Sequence, residues 1–208
     1  MIRGTSANPD TYFQSREATN PWYDAVYDHV EKAMDDFAAA TGRQYKPFEF
    51  YGHPQAERVI VIMGSAIGTC EEVVDELLSR GEKVGVLKVR LYRPFSAAHL
   101  LAALPESARA VAVLDRTKEP GALAEPLYLD VMTALAEAFN RGERETLPRT
   151  IGGRYGLSSK DTTPAQMLAV FANLKANEPK NQFTVGIVDD VTFRSLPVGE
   201  EISLAKPG

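Results

Sequence analysis

The chain has 208 residues, of which 44% are hydrophobic and 25% charged, and its formal net charge is −5 at pH 7. This length predicts a single domain, or a domain with an appendage, that can bury a core without disulfide or metal staples. The acidic balance argues against a nucleic-acid surface and a polybasic membrane anchor, and no apolar run approaches the roughly 18–20 residues that span a bilayer.

The first 51 residues predict one helix. Residues 1–20 are polar and are predicted to be irregular, with a turn at Asn8 and Pro9. Asn20 is predicted to cap a helix that ends at Gly42. Apolar residues spaced three and four apart predict a buried face on this helix: Trp22, Val26, Val30, Ala33, Met34 and Phe37. Residues 45–51 predict a short extended segment.

Three strands are predicted in the most regular section of the chain. Residues 59–63 form an apolar, largely β-branched run, typical of a strand that is buried on both faces. Residues 83–91 and 110–114 predict two further strands. A helix is predicted after each strand, and this alternation favours a mostly parallel sheet with helices on both sides. The predicted fold class is therefore a three-layer α/β/α domain.

The helices of this section have recognisable ends. Thr69 and Glu72 have the spacing of a capping box for the first helix, which ends at Gly81. Ser96 is predicted to cap a short helix that runs to Leu104. The third helix covers residues 126–141.

The remainder of the chain predicts smaller elements. Residues 150–151 predict a short strand, and Thr163 begins another helix. Residues 183–188 predict a further strand. Residues 189–208 contain strand-like pieces without a visible core partner.

The turn at residues 64–69 (GSAIGT) lies between a strand and a helix N-terminus, where backbone N–H groups and the helix dipole favour an anion such as phosphate. It is neither a dinucleotide-binding fingerprint nor a Walker A loop. A tight turn that needs small residues is the favoured interpretation. Anion binding remains the alternative.

Cys70 is the single cysteine, so the sequence allows no internal disulfide and no iron–sulfur cluster held by four thiolates from this chain. A helix N-terminus would lower its pKa, but no base is evident, and a structural cysteine is favoured. The histidines His29, His53 and His99 lack metal-ligand spacing. The sequence therefore nominates no catalytic residue and no metal site.

Three further motifs lie in predicted loops. Arg90 lies at the end of the second strand and Arg93 just after it, and the two are predicted to bind an anion or, preferably, to pair with acids at a domain interface. Residues 115–121 (DRTKEPG) follow the third strand, and their cations Arg116 and Lys118 suggest either a solvated loop or a docking or ligand-contacting one. Residues 152–157 are glycine-rich, which favours close packing over a ligand contact.

Several strings resemble the pyruvate:ferredoxin (flavodoxin) oxidoreductase family, in order along nearly the whole chain. They are GTSANPDTYFQ (4–14), AERVIV (56–61), KVRLYRPF (88–95), VLDRTKEPG (113–121), GRYGL (153–157) and FTVGI (183–187). The length and unusual chemistry of these strings make the resemblance specific. Enzymes of this family are several times longer than this chain.

The resemblance implies a part of an enzyme that decarboxylates pyruvate oxidatively, releases acetyl-CoA and reduces ferredoxin or flavodoxin. The absence of a signal-peptide core in residues 1–5 and of a bilayer-spanning run predicts a cytoplasmic location. The resemblance also implies a transketolase-C-terminal-like domain at residues 21–178, between the end of a preceding domain (1–20) and the start of a following one (179–208). Thiamine diphosphate, 4Fe–4S clusters and the main coenzyme A contacts would belong to other domains of a parent that is a homodimer. Arg116 and Lys118 are the candidate residues along the path of coenzyme A.

Three hypotheses follow. The first is a structural and interface domain that has no turnover alone. The second is an autonomous module that binds coenzyme A or a nucleotide phosphate through the 64–69 turn and the Arg116–Lys118 loop. The third is a separate subunit that assembles with chains carrying thiamine diphosphate and clusters.

Overall fold

The chain divides between Pro47 and Phe48 into two units in the computed structural model, which describes residues 6–189 and 191–198. The first unit contains the helices α1 (Pro9–Glu17), α2 (Asn20–Asp24) and α3 (Val26–Thr41). The domain boundaries predicted at residues 20 and 178 stay predictions.

Helix α1 corrects the prediction that residues 1–20 are irregular. The Asn8 side chain accepts a hydrogen bond from the Thr11 backbone N–H, and Pro9 stands in the first turn. Asparagine followed by proline is compatible with a turn, but the same pair is also a good helix start. At this position the pair begins a helix.

The predicted helix from Asn20 to Gly42 is present as two helices. Thr19 occupies the N-cap position of α2, Ala25 separates α2 from α3, and Gly42 ends α3 with a φ of 74°. The predicted buried face is wrong in detail. Tyr27 is the buried residue of α3, whereas Trp22 is 79% exposed.

The second unit is built on a sheet of six strands in the order β1-β3-β2-β4-β5-β6. The strands are β1 (Phe48–Gly52), β2 (Arg58–Ile62), β3 (Val84–Val89), β4 (Ala110–Asp115), β5 (Arg149–Arg154) and β6 (Phe183–Thr184). Strand β1 is antiparallel to β3, and every other pairing is parallel. The predicted mostly parallel sheet is confirmed.

Four helices cover this sheet. They are α4 (Ile67–Ser79), α5 (Ala97–Ala103), α6 (Pro126–Asn140) and α7 (Pro164–Lys175). Helices α4 and α7 pack against each other and against the central strands, while α5 contacts α6 and β1, and α6 contacts β4 and β5. The predicted three-layer α/β/α architecture is therefore confirmed.

The core follows from the apolar strands. Ile60 and Ile62 of β2 pack with residues of α4 and α7. Val59 and Val61 are also fully buried, and alternation along a strand directs them to the opposite face. A strand that is apolar on both faces requires helices on both sides, as observed.

Some predicted ends of elements differ from the structure. Helix α4 begins at Ile67 with no side-chain cap, so the predicted capping box of Thr69 and Glu72 is wrong. Strand β6 covers two residues instead of the predicted 183–188. The tail is not without partners either, since Leu196 is 6% exposed and belongs to the core cluster.

The described helices are short or polar relative to a membrane-spanning helix. Within residues 6–189 and 191–198, none combines the necessary length and apolar character. Helix α3, at 16 residues, is shorter than the span that a bilayer requires.

Candidate functional site

The candidate site lies where the sheet reverses its winding. The chain passes from β2 to β3 on one side of β2, and it returns to place β4 on the other side. In open α/β sheets, ligands bind beyond the carboxyl ends of the strands at such a switch point. Residues 63–66, 116–125 and 155–160 form the loops that follow β2, β4 and β5 at this edge.

Arg116 connects these three loops. It follows β4, and its Nε donates to the Gly156 carbonyl at 2.8 Å, while one terminal nitrogen lies 3.1 Å from Ser65 Oγ. Gly156 has a φ of 63°, and a Cβ at this position would lie 3.2 Å from Arg116 Nε. Glycine at 156 therefore permits the close approach of the guanidinium to the backbone.

Tyr155 connects two of the loops at the same edge of the sheet. Its side chain is 1% exposed, and its hydroxyl donates to the Met63 carbonyl at the end of β2. Burial raises the pKa of the Tyr155 phenol, so the group stays a neutral donor at physiological pH. This hydrogen bond joins the loops after β2 and β5.

Asp115 sets the start of helix α6. Its two carboxylate oxygens accept the backbone N–H groups of Leu127 and Tyr128 at 2.9 and 3.1 Å. Burial raises the pKa of this carboxyl, and the two amide hydrogen bonds oppose the rise. Because Asp115 is the last residue of β4, its capping fixes both ends of the 116–125 loop relative to the sheet.

Glu125 is the centre of a second set of contacts. Its Oε2 accepts the Glu119 backbone N–H at 2.7 Å, and its Oε1 lies 3.0 Å from Arg154 and 3.5 Å from Lys118 Nζ. Glu125 is 1% exposed and Arg154 is 8% exposed. Arg154 also donates to the side chain and the carbonyl of Gln182. We call Lys118, Glu119, Glu125 and Arg154 the Glu125 cluster.

The two predicted site residues lie in the same loop but have different partners. Arg116 contacts the loops after β2 and β5, whereas Lys118 contacts Glu125 and the Glu119 carbonyl. The Lys118 side chain is 45% exposed. The arrangement presents two cations along the switch-point edge, and such cations can bind phosphate or carboxylate groups.

The small-residue turn after β2 contributes Ser65 to this edge. Gly64 has a φ of 90°, and Ile67 begins helix α4. Cys70 lies in the first turn of that helix but is fully buried, and burial raises the pKa of its thiol. The interpretation of Cys70 as a structural residue is therefore favoured over that of a nucleophile.

We expect native Cys70 to resist alkylation. Burial keeps the sulfur both protonated and inaccessible, so iodoacetamide should label the folded chain more than about a hundredfold more slowly than the chain in urea. Mass spectrometry of quenched aliquots measures both rates. Equal rates in the two states would contradict the burial of this thiol.

The residues of two other predicted motifs contact other parts of the second unit. Arg90 pairs with Glu49, and Arg93 lies 2.7 Å from Asp130, so both arginines have acidic partners in the second unit. At Gly153, a Cβ would lie 2.3 Å from the Phe183 ring. The packing interpretation of the glycine-rich segment is thereby confirmed.

Sequence reasoning did not identify Glu125 as part of this edge, and it gave Ser65, Asp115, Arg154 and Tyr155 only as members of motifs, without their contacts. One usable signal was the acidic residue directly before Pro126, since proline marks a helix start. The contact between Glu125 and Arg154 spans 29 residues, and no local pattern indicates it. In residues 6–189 and 191–198, no group of three or more His, Cys, Asp or Glu side chains is arranged to hold a metal ion.

The chain is similar to one protein family and to much longer oxidoreductases. Residues 56–158 match the family described as pyruvate:ferredoxin oxidoreductase core domain II. The chain is 82% identical over 200 residues to the probable pyruvate-flavodoxin oxidoreductase of Escherichia coli (strain K12), covering 96% of this chain and 17% of that protein. It is 55% identical over 206 residues to the pyruvate:ferredoxin oxidoreductase of Moorella thermoacetica, covering 99% of this chain and 17% of that protein.

A solved structure has a similar fold. It is the 2-oxoglutarate:ferredoxin oxidoreductase from Magnetococcus marinus with 2-oxoglutarate, coenzyme A and succinyl-CoA bound, and it matches 82% of this chain and 24% of that one. The TM-score is 0.50 at 17% sequence identity. At this identity the comparison supports the α/β fold alone.

Proposed function

The chain belongs to the pyruvate:ferredoxin oxidoreductase family, and from this premise we propose that it acts as core domain II of an enzyme that oxidatively decarboxylates pyruvate to acetyl-CoA and passes the electrons to ferredoxin or flavodoxin. The observation that carries the proposal is the 82% identity over 200 residues to the Escherichia coli relative. The domain acts inside a longer cytoplasmic parent. We expect no turnover by the 208-residue chain alone.

Other domains of the parent supply thiamine diphosphate and the 4Fe–4S clusters. A cluster typically needs four cysteine thiolates, and Cys70, the single cysteine of the chain, is buried in the core. Its residues therefore do not fit a cluster. We also propose that the parent is a homodimer, and that residues 1–20 and 179–208 belong to the domains before and after the core domain at 21–178.

We propose that Arg116 and Lys118 contact the phosphate groups of coenzyme A along the switch-point edge. A guanidinium has five N–H donors, and the described contacts of Arg116 with Gly156 and Ser65 use two of them. Lys118 is a point charge that is 45% exposed beside Glu125. Both cations lie at the sheet edge where ligands of such folds bind.

The position of Arg116 also supports a second candidate function. A cation at a switch point is suited to a phosphate whether or not other domains are present. An autonomous module of this kind would bind coenzyme A in isolation, which the proposal of a core domain does not require. Calorimetric titration of the purified chain with coenzyme A separates the two.

The test of the site uses the parent oxidoreductase. Arg116→Ala and Lys118→Ala each remove a charge-assisted contact, so each should raise the KM for coenzyme A about tenfold. The KM for pyruvate and the thiamine content should stay unchanged. Pyruvate-dependent reduction of ferredoxin and of flavodoxin is the assay.

Matched controls come from the opposite edge of the sheet. Lys83 is 48% exposed and lies 3.3 Å from Glu57, and Arg80 is 38% exposed and lies 2.8 Å from Glu76. Lys83→Ala and Arg80→Ala should leave the KM for coenzyme A unchanged. Unchanged values for Arg116→Ala and Lys118→Ala would refute the coenzyme A contact, while a parent that oxidises another 2-oxoacid but not pyruvate would refute the proposed activity.

A further inference from the structure

The Glu125 carboxylate has no role in capping helix α6, although it lies directly before Pro126. Asp115 already accepts the Leu127 and Tyr128 N–H groups at the start of that helix. Glu125 instead turns back to the preceding loop, where it accepts the Glu119 N–H at 2.7 Å. Its contacts therefore organise the loop.

Burial of Glu125 requires partners. An ionised carboxylate that is 1% exposed is costly unless cations and N–H groups surround it. Arg154, at 3.0 Å, is buried and supplies the charge that this environment demands. Lys118, at 3.5 Å, is 45% exposed and is therefore the partner that faces outward.

We infer that Glu125 is a positioning residue for Lys118, because its carboxylate lies 3.5 Å from the ammonium group and holds it at the switch-point edge, while Arg154 offsets the cost of burying that carboxylate. The Glu119 contact fixes the backbone next to Lys118 in the same way. Arg154 is tied in turn to Gln182 through hydrogen bonds of 3.3 and 2.8 Å. This inference rests on the proposed function for the ligand, since coenzyme A is the anion that Lys118 would meet.

The test compares four variants of the parent enzyme. Lys118→Met removes the cation, and Glu125→Met with Arg154→Met removes its anchor while replacing a buried pair by apolar side chains. Lys118→Met should raise the KM for coenzyme A about tenfold, as expected for Lys118→Ala, and the double variant about fivefold, with kcat unchanged in both. The triple variant should be no worse than Lys118→Met, because both changes remove the same interaction. Arg154→Met alone leaves Glu125 beside Lys118 and should keep the wild-type KM.

A second measurement is independent of coenzyme A. Hydrogen exchange at the Glu119 amide of the 208-residue chain should be at least about tenfold faster in the double variant than in the wild type. Arg154→Met should retain the protection. The exchange rate reports the loop directly, so it does not depend on which ligand the loop contacts.

The outcomes distinguish the two proposals. If Lys118→Met raises the KM for coenzyme A and the double variant does not, the positioning role is wrong and the coenzyme A contact stands. If Lys118→Met leaves this KM unchanged, the coenzyme A contact of Lys118 is wrong, and positioning for that ligand is wrong with it. Unchanged exchange at Glu119 in the double variant overturns the claim that Glu125 holds the loop.

Discussion

Replacing Glu125 by Met is expected to lower the free energy of unfolding by about 3–5 kcal/mol, because Arg154 would remain buried without its carboxylate. Arg154 is 8% exposed, and its remaining contacts are with the neutral Gln182. Urea unfolding followed by far-ultraviolet circular dichroism measures the loss. Trp22 fluorescence is unsuitable as the probe, since Trp22 belongs to the first unit.

The companion variants should show an asymmetry. Arg154→Met should cost less, about 1–2 kcal/mol, because Lys118 and the Glu119 N–H still accompany the carboxylate. The double variant should lie within about 1 kcal/mol of the wild type, since apolar side chains often replace a buried ion pair without loss. Single-variant losses that simply add in the double variant would contradict a direct interaction between the two residues.

The fold of the second unit was predictable because its apolar pattern and its order of strands and helices indicate the same architecture. The apolar run in β2 demands burial on both faces, and helical periodicity supplies a cover on each side. Thr163 and Gln166 form a capping box at the start of α7, as their spacing indicates. The alternation of strands and helices then leaves few topologies open.

The buried residues of the first unit were harder to predict, because the spacing of its apolar residues does not show whether they are buried. The 3-and-4 spacing from Trp22 to Phe37 predicted a buried face, yet Phe37 is 39% exposed. Periodicity shows which residues share one side of a helix. It does not show whether another element of the same chain covers that side.

The site was predictable only where the loop position sufficed. Arg116 and Lys118 follow a predicted strand, so their place at the carboxyl edge came from topology. Their partners were not predictable, because Gly156 and Ser65 are 40 and 51 residues away from Arg116 in the sequence. Likewise, the Glu125–Arg154 pair depends on strands β4 and β5 being neighbours.

Gly52→Ala should be among the most destabilising single substitutions in the second unit. Gly52 has a φ of 139°, and an added Cβ would lie 2.5 Å from both the Gly85 Cα and the Val84 carbonyl oxygen. These are backbone atoms of β3, so relief requires opening the β1–β3 pairing. Backbone strain and overpacking together should cost at least about 3 kcal/mol in the free energy of unfolding.

Two other glycines separate the clash from the backbone strain. Gly81 has a φ of 77° but no atom within 4 Å of an added Cβ, so Gly81→Ala should cost about 1 kcal/mol, from conformation alone. Gly68 lies in α4 without a positive φ and also has open space. Gly68→Ala should therefore be neutral or stabilising by up to about 1 kcal/mol. If Gly52→Ala costs no more than Gly81→Ala in urea unfolding, β1 does not approach β3 as closely as the pairing of Gly52 with Gly85 requires.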